Sequence, residues 1–353
     1  MANKQEDQAF SVLPCTDLQA DIAFYTRELH LQLLRVYPSD NPHSAELSGF
    51  GLSLLLDTRY AGAPGLLVMK SEAKSRSTLH SPSGTEIRWE SPVEPFMQSF
   101  ASHRTEICTL RSTPWTAGHA GTHSRDLIPS RLNGGIIASH IRIPNGGPVR
   151  DRVHYHTAGF QLLFCVQGWI QLAYEDQGPP ITLRAGDCVT QPPHIRHRVL
   201  ETSNGLEVIE IGTPAEHVTA IDNDMQLPTG RVDSHRLFHG QRFCHFTLES
   251  ARWQPHRLPG LAAADTGVAE ASAGLAGVRM LKAMGASPSY VTSHDAQLLF
   301  TYVVTGSVRI NRQLLVAGDA FTLPPDDEYT IGDISSDVSL LEVSLPGTFA
   351  TRI

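Results

Sequence analysis

GPVRDRVHYHTAGFQLLFCVQGWIQLAYEDQGPPITLRAGDCVTQPPHIRHRVLE, residues 147–201, decides how this chain folds. His154 and His156 are two apart on a segment that alternates as a strand does, so both imidazoles leave the same face. Gln161 and Gly168 follow, and beyond an insert come Gly186, Pro192 and His197.

That order resembles the two sequence motifs of the cupin superfamily: Gly, a gap, His-x-His, Glu, Gly, and then Gly, Pro-x-Gly, His, Asn. Gly147, His154, His156 and Gly168 meet the first, with Gln161 at the Glu position and Gly147 one residue further from its His than the pattern has it. Gly186, Pro192 and His197 meet the second, but His194 replaces the Gly and Glu201 the Asn. A lone His-x-His would say little; matched offsets over the whole stretch imply a double-stranded β-helix barrel. The resemblance implies one metal inside it, held by His154, His156, Gln161 and His197. Three neutral imidazoles suit Fe, Zn, Ni or Cu and leave positions open for substrate or water. A Gln amide is neutral, so the site is one charge unit more positive than with Glu. That favours Lewis acidity and a higher redox potential and weakens affinity. The alternative is a metal-free barrel whose histidines are satisfied by hydrogen bonds.

An internal repeat extends the architecture. Trp115, His156 and Gly168 recur as Trp253, His294 and Gly306, and Gly186 with Pro192 as Gly318 with Pro324. In the second copy Thr292, Leu299 and Tyr329 stand where His154, Gln161 and His197 stand in the first, so that barrel has no metal site. The expectation is a mainly β chain, two tandem cupin barrels over 106–213 and 243–350 joined by 214–242. Such a bicupin resembles ring-cleaving dioxygenases in which one barrel carries the metal.

Residues 9–70 read as a separate small α+β unit. FSVLPC is a strand, Asp17 caps a helix with Ile22, Phe24, Tyr25 and Leu29 near one stripe, and LQLLRVYP, SAELSG and FGLSLLLD are strand-like, with GLLVMK as a candidate further strand. This βαβββ order resembles one half of the glyoxalase, or vicinal-oxygen-chelate, superfamily. Phe10 stands where that superfamily places a metal-binding His, so no metal is expected there. A half module leaves a sheet edge or face open, which implies a homodimer with residues 9–70 in the contact. Residues 71–105, polar and broken by Pro and Gly, read as a linker with one short strand, EIRW.

Three further residues are candidates for substrate binding. His140 and Arg142 share one face of a strand, either lining the pocket or facing solvent, and Cys165 lies at an even offset from Gln161. His217, His235 and His239 of the bridging segment are irregularly spaced and read as surface histidines rather than a second metal site.

Composition bounds the function. The chain has 353 residues and a net charge of −8, which gives no basic footprint for nucleic acid. No apolar run approaches a membrane span, the N-terminus MANKQEDQAF is no secretory signal, and five scattered cysteines suit a reduced, cytoplasmic setting. The partner expected is a small molecule. Three functions follow from the site. The first is an Fe(II) dioxygenase acting on an oxygen-chelating substrate, dihydroxyaromatic or diketone-like. The second is a redox-neutral isomerase or cyclase using Zn, Ni or Mn, and the third a non-catalytic binding bicupin. The cofactor expected is one divalent transition metal per chain, Fe(II) ahead of Zn, Ni or Mn.

Overall fold

The computed structural model describes residues 8–71, 78–90, 104–118, 121–285 and 288–353. The N-terminal heptapeptide and much of the 71–105 stretch, both read above from sequence, lie outside these residues. The chain divides into two units, Met1–Glu94 and Pro95–Ile353. Among the described residues no helix is long and apolar enough to cross a membrane, and all five cysteines are unpaired.

The first unit has the βαβββ order. Strands run in the order Ser11–Pro14, Leu52–Asp57, Ser44–Gly49, Gln32–Tyr37, the first pair parallel and the rest antiparallel. Asp17 caps the helix Leu18–Arg27 by accepting from the Ala20 amide at 3.0 Å. Tyr25 and Leu29 are buried on Leu47, Leu54 and Leu56, while Ile22 and Phe24 are only partly covered. The expected linker is corrected here. Leu66–Lys70, Thr78–His80 and Glu86–Glu90 form a three-stranded sheet, and Ile87 and Trp89 join the core of this unit. The buried carboxylate of Asp21 on the helix ties it to this region, accepting from the Ser83 amide at 3.3 Å.

The second unit holds two barrels. In the first, a seven-stranded sheet runs through Cys188–Thr190, Phe160–Gln167, Leu206–Thr213 and Ile137–Ile143. It faces a sheet built from Ile181–Arg184, Trp169–Tyr174, His197–Thr202 and His154–His156. The second barrel repeats this with Ala320–Leu323, Leu298–Thr305, Ser339–Leu345 and Gly277–Ala283 against Gln313–Val316, Ser307–Ile310, Tyr329–Gly332 and Tyr290–His294. The repeat extends to irregularities: the register slips between Cys165 and Gln167 in one copy and between Val303 and Thr305 in the other. Gly168 and Gly306 follow those slips at φ of 76° and 71°, a left-handed turn that a side chain would strain.

The large sheets of the two barrels share one core. Leu162, Phe164, Ile209 and Ile211 pack with Val278, Phe300, Tyr302 and Val343. Truncating Phe164 or Phe300 to Ala would cost about 3–5 kcal/mol. The barrels also exchange edge strands, which moves the expected boundaries. Glu106–Cys108 pairs with Ala320–Leu323 of the second barrel, and His245–Phe246 pairs with Cys188–Thr190 of the first. Residues 214–242 are likewise more than a bridge, because Thr219–Ile221 adds a strand beside His154–His156.

Candidate metal centre

The strand His154–His156 is held between His197–Thr202 and Thr219–Ile221, and His154 lies directly opposite His197 in the register. Strand parity and this pairing bring three imidazoles together, with ring centroids 4.4 Å apart for His154–His197 and 5.2 Å for the other two pairs. One ring nitrogen from each lies within 4.8 Å of the others, and among the described residues this is the one such group of three or more His, Cys, Asp or Glu. The turn after Cys188–Thr190 fixes the floor: the Gln191 amide donates to Gln161 O at 2.9 Å, and the His194 amide to His156 O at 3.0 Å.

Each ring is anchored through Nδ1. His154 and His197 donate to the carbonyls of Arg152 (2.8 Å) and Ile195 (3.0 Å), and His156 Nδ1 meets the Thr219 hydroxyl at 2.9 Å. A carbonyl only accepts, so His154 and His197 carry their proton on Nδ1 and present the Nε2 lone pair, the state a metal ligand needs. Burial, with His154 and His217 nearby, pushes His156 down to about 3. Burial, with His154 and His156 nearby, pushes His197 well below its ordinary value.

Gln161 is 1% exposed and its amide is half used. Nε2 donates to Glu210 Oε1 at 2.5 Å, which turns the amide, while Oε1 is buried with no hydrogen-bond partner. An orphaned buried acceptor is costly, and a cation would relieve it. Three anchored imidazoles with free Nε2 atoms and one unsatisfied amide oxygen are a donor set that fits a divalent transition metal.

Above these residues lies a cavity of about 180 Å³, lined by His154, His156, His197, Gln191 and Glu210 and walled by Ile141, Ile143, Leu163, Leu172, Val199 and Val208, among others. None of the residues lining it is Arg or Lys. The Tyr174 ring stacks on His197 at 5.5 Å and its hydroxyl accepts from Gln191 Nε2 at 2.9 Å, so the histidine side of the cavity is braced from behind.

The three candidates for substrate binding lie elsewhere. Ile141 and Ile143 face the cavity, so His140 and Arg142 point to the opposite side of their strand. There His140 Nε2 pairs with Glu207 Oε2 at 2.8 Å, Arg142 Nε donates to Glu207 Oε1 at 2.9 Å, and the His140 ring meets Tyr302 of the second barrel at 5.5 Å. His140 thus packs barrel against barrel, and Arg142 is tied to Glu207 and lies over the Trp115 ring, both away from the cavity. Cys165 does point inward, but it packs among Ile170, Leu183 and Val189, outside the cavity lining, and burial pushes its thiol up to about 12.

Sequence reading missed Glu210 and gave His217 to the surface. Glu210 had a signal: in LEVIEIG it shares parity with Leu206 and Val208, a lone charge on an apolar face. His217 stands edge-on to His156, 5.5 Å between centroids, with Nδ1 on the Pro214 carbonyl. His235 is exposed, and His239 lies tilted against His194, 4.4 Å between ring centroids.

Residues 139–211 match the cupin domain family. No curated protein matches the chain significantly. Among solved structures the chain is similar to oxalate decarboxylase of Bacillus subtilis. An arginine-to-alanine mutant of that enzyme gives a TM-score of 0.51 at 12% identity, over 74% of this chain and 82% of that one. A structure describing the substrate binding mode and reaction specificity of oxalate decarboxylase gives 0.52 at 12%, over the same shares. A third concerns the Mn(II) centres of the Bacillus subtilis enzyme and again matches at 0.51 and 12%, with the same coverage. At that identity the likeness is one of fold, and together with the domain match it makes this chain a mainly β protein of two tandem cupin barrels, the first of them a cupin domain.

Proposed function

We propose that the chain is a metal-dependent bicupin enzyme that acts on a small, apolar-bodied substrate through a pair of chelating oxygens. One observation carries this: three imidazoles anchored through Nδ1 line an apolar cavity without a cationic side chain in its lining, and Gln161, bonded to Glu210 of that lining, keeps an orphaned oxygen. A divalent metal bound there would supply Lewis acidity to the chelated oxygens and, as Fe(II), the redox chemistry of a dioxygenase.

The chain's own residues set the rest. A cavity of roughly 150 Å³ takes up one benzene, so about 180 Å³ admits a single six-membered ring or a short diketone. Ile141, Ile143, Leu172 and Val199 would exclude water from it. Glu210 is the one carboxylate in the lining. With Oε1 on Gln161, its other oxygen is placed to take the proton that an enol or phenol loses on chelation. Oxalate, the substrate in the name of the structural neighbours, suits these walls less well, because a small dianion gains nothing from aliphatic side chains. Dioxygenase chemistry on a dihydroxyaromatic or diketone-like compound is the first reading. Glu210 also favours a second, redox-neutral proton transfer with Zn, Ni or Mn.

Protein purified without chelators should carry about one equivalent of metal. After Fe(II) reconstitution, oxygen uptake with β-diketones, catechols and gentisate should be substrate-dependent and lost in His154→Ala. Turnover with Zn(II) and no oxygen uptake would select the second reading. Metal occupancy with ligand binding but no turnover under any metal would leave a binding bicupin.

A further inference from the structure

The second barrel carries Glu342 opposite Thr301, in the register that Glu210 holds opposite Leu163 in the first. Glu342 is 2% exposed and borders a barrel interior filled by Leu258, Leu299, Phe321 and Tyr329, with only about 20 Å³ free. No ligand fits inside. The carboxylate is capped instead by Arg257, with Nη1 at 2.9 Å and Nη2 on the second oxygen. Arg257 is otherwise committed: Nε donates to Thr351 Oγ1 at 2.8 Å, and Nη1 also to His256 Nε2 at 2.6 Å. Guanidinium only donates, so His256 Nε2 accepts and that ring is neutral. Arg257 and Glu342 therefore cancel.

Arg279 is left over. Its Nη2 donates to Gly347 O at 3.2 Å, whereas Nη1 is buried without a hydrogen-bond partner, 3.6 Å from a carboxylate that Arg257 already holds. On the outer side of the pair, Arg257 and Arg279 line a cavity of about 230 Å³ with Pro255, His256, Ala263 and Phe349. Arg257 and Arg279 thus share the single carboxylate of Glu342, and the one positive charge left over beside an open cavity suits an anion.

The geometry points to a second ligand site in the barrel that lacks the metal ligands: the Arg257–Arg279 cavity binds a small carboxylate, its one negative charge matching the one surplus guanidinium and its apolar part lying against Pro255 and Phe349. The cavity shares no lining residue with the histidine cavity, so this inference does not rest on the metal reading.

Calorimetric titration with acetate, benzoate and inorganic phosphate, at ionic strength held constant by NaCl, tests it on the full chain. Benzoate should bind one saturable site in the wild type and equally in His197→Ala. Arg279→Met should weaken it about tenfold or more, the loss of a hydrogen bond to a charged group. Arg279→Met keeps the Arg257–Glu342 pair, and its urea midpoint reports whether it is folded. Should it not fold, Arg279→Lys, which keeps the charge and loses the planar fork, should still weaken benzoate severalfold. The site is refuted if no carboxylate binds saturably, if phosphate binds more tightly than both carboxylates, or if the Arg279 variants bind as the wild type does. Benzoate binding lost in His197→Ala and kept in Arg279→Met would place the carboxylate among the histidines and equally overturn it.

Discussion

Gln161→Glu is the sharpest probe of the histidine site, and the structure changes what it should do. From sequence alone, a carboxylate in the ligand set tightens a divalent cation at any pH. Glu210 alters this, because its Oε1 is 2.5 Å from the nitrogen that the substitution turns into an oxygen. Two carboxylates would then share a pocket in which residue 161 is 1% exposed. Unit charges about 4 Å apart repel by roughly 1 kcal/mol in water and about 4 kcal/mol at the effective dielectric of a protein site. At 1.36 kcal/mol per pKa unit, 4 kcal/mol holds one proton about three units above the ordinary carboxylate range. Near neutrality the metal-free variant therefore keeps a proton between the two groups, and the added charge appears only when a metal displaces it.

Metal binding to the variant should release about one more proton than binding to the wild type. Its affinity should also gain up to about tenfold per pH unit through the range where that proton is held. Calorimetric titration of Zn(II) at two pH values, in buffers of different ionisation enthalpy, counts the protons directly. Equal proton release and parallel affinity profiles for both proteins would refute the pairing of position 161 with Glu210. Unchanged affinity at every pH would remove residue 161 from the ligand set.

The remaining expectations are simpler. His154→Ala together with His197→Ala should abolish metal content, read by elemental analysis, with an unchanged circular dichroism spectrum; full occupancy would mean the site is misassigned. Metal-free protein should lose stability in acid. Burial holds His156 at about 3 in the folded state, so from about pH 6.5 downward the unfolded chain takes up that proton first, and stability falls between about 6.5 and 3. Burial would raise Glu342, yet the neighbouring His256 and its ion pair with Arg257 hold it well below the carboxylate range, so its contribution is present above about 4.5 and lost as pH falls further. Urea midpoints that stay constant from about pH 7 to pH 4 would contradict the first, and midpoints constant from about pH 4.5 to pH 2 the second. A homodimer is expected through the first unit, where Leu34, Tyr37 and Phe50 are exposed on or near the edge strand Gln32–Tyr37. Light scattering should give twice 38.6 kDa, falling to the monomer mass in Leu34→Glu/Tyr37→Ser; a monomeric wild type ends that idea.

The barrels were legible because their signals are strong and local: a shared face for His154 and His156, glycines at the turns, a repeat that keeps both. What was not legible depends on partners far away in the chain. Ile137–Ile143 alternates cleanly, and reading put His140 and Arg142 on one face, but both faces of that strand are covered, one by the cavity and one by the second barrel. Alternation then no longer says which side is inside. Edge strands of two or three residues, such as Glu106–Cys108 and His245–Phe246, carry too little pattern to name the barrel they join. The same holds for Thr219–Ile221, whose Thr219 anchors the His156 ring from within an apparent bridge.

Glu210 and Glu342 show how one fold position serves two ends. Each is a carboxylate on the last long strand of its barrel, facing inward among aliphatic residues. An isolated buried charge there is untenable. The first barrel leaves Glu210 half-exposed to an open cavity and bonded to a Gln amide, with room beside it for a cation. The second fills its interior and brings in a cation of its own, Arg257, from the segment after Trp253–Pro255. Thr292, Leu299 and Tyr329 stand in the second barrel where His154, Gln161 and His197 stand in the first, and the guanidinium on Glu342 makes a further cation beside it electrostatically redundant. Arg257→Met should accordingly be among the most destabilising single substitutions in the chain, about 3–5 kcal/mol, since it strands Glu342 in the interior. Arg257→Met with Glu342→Met should recover most of that loss in urea unfolding. A double variant no more stable than the single one would mean that Arg257 acts through Thr351 and Phe349 rather than through the carboxylate.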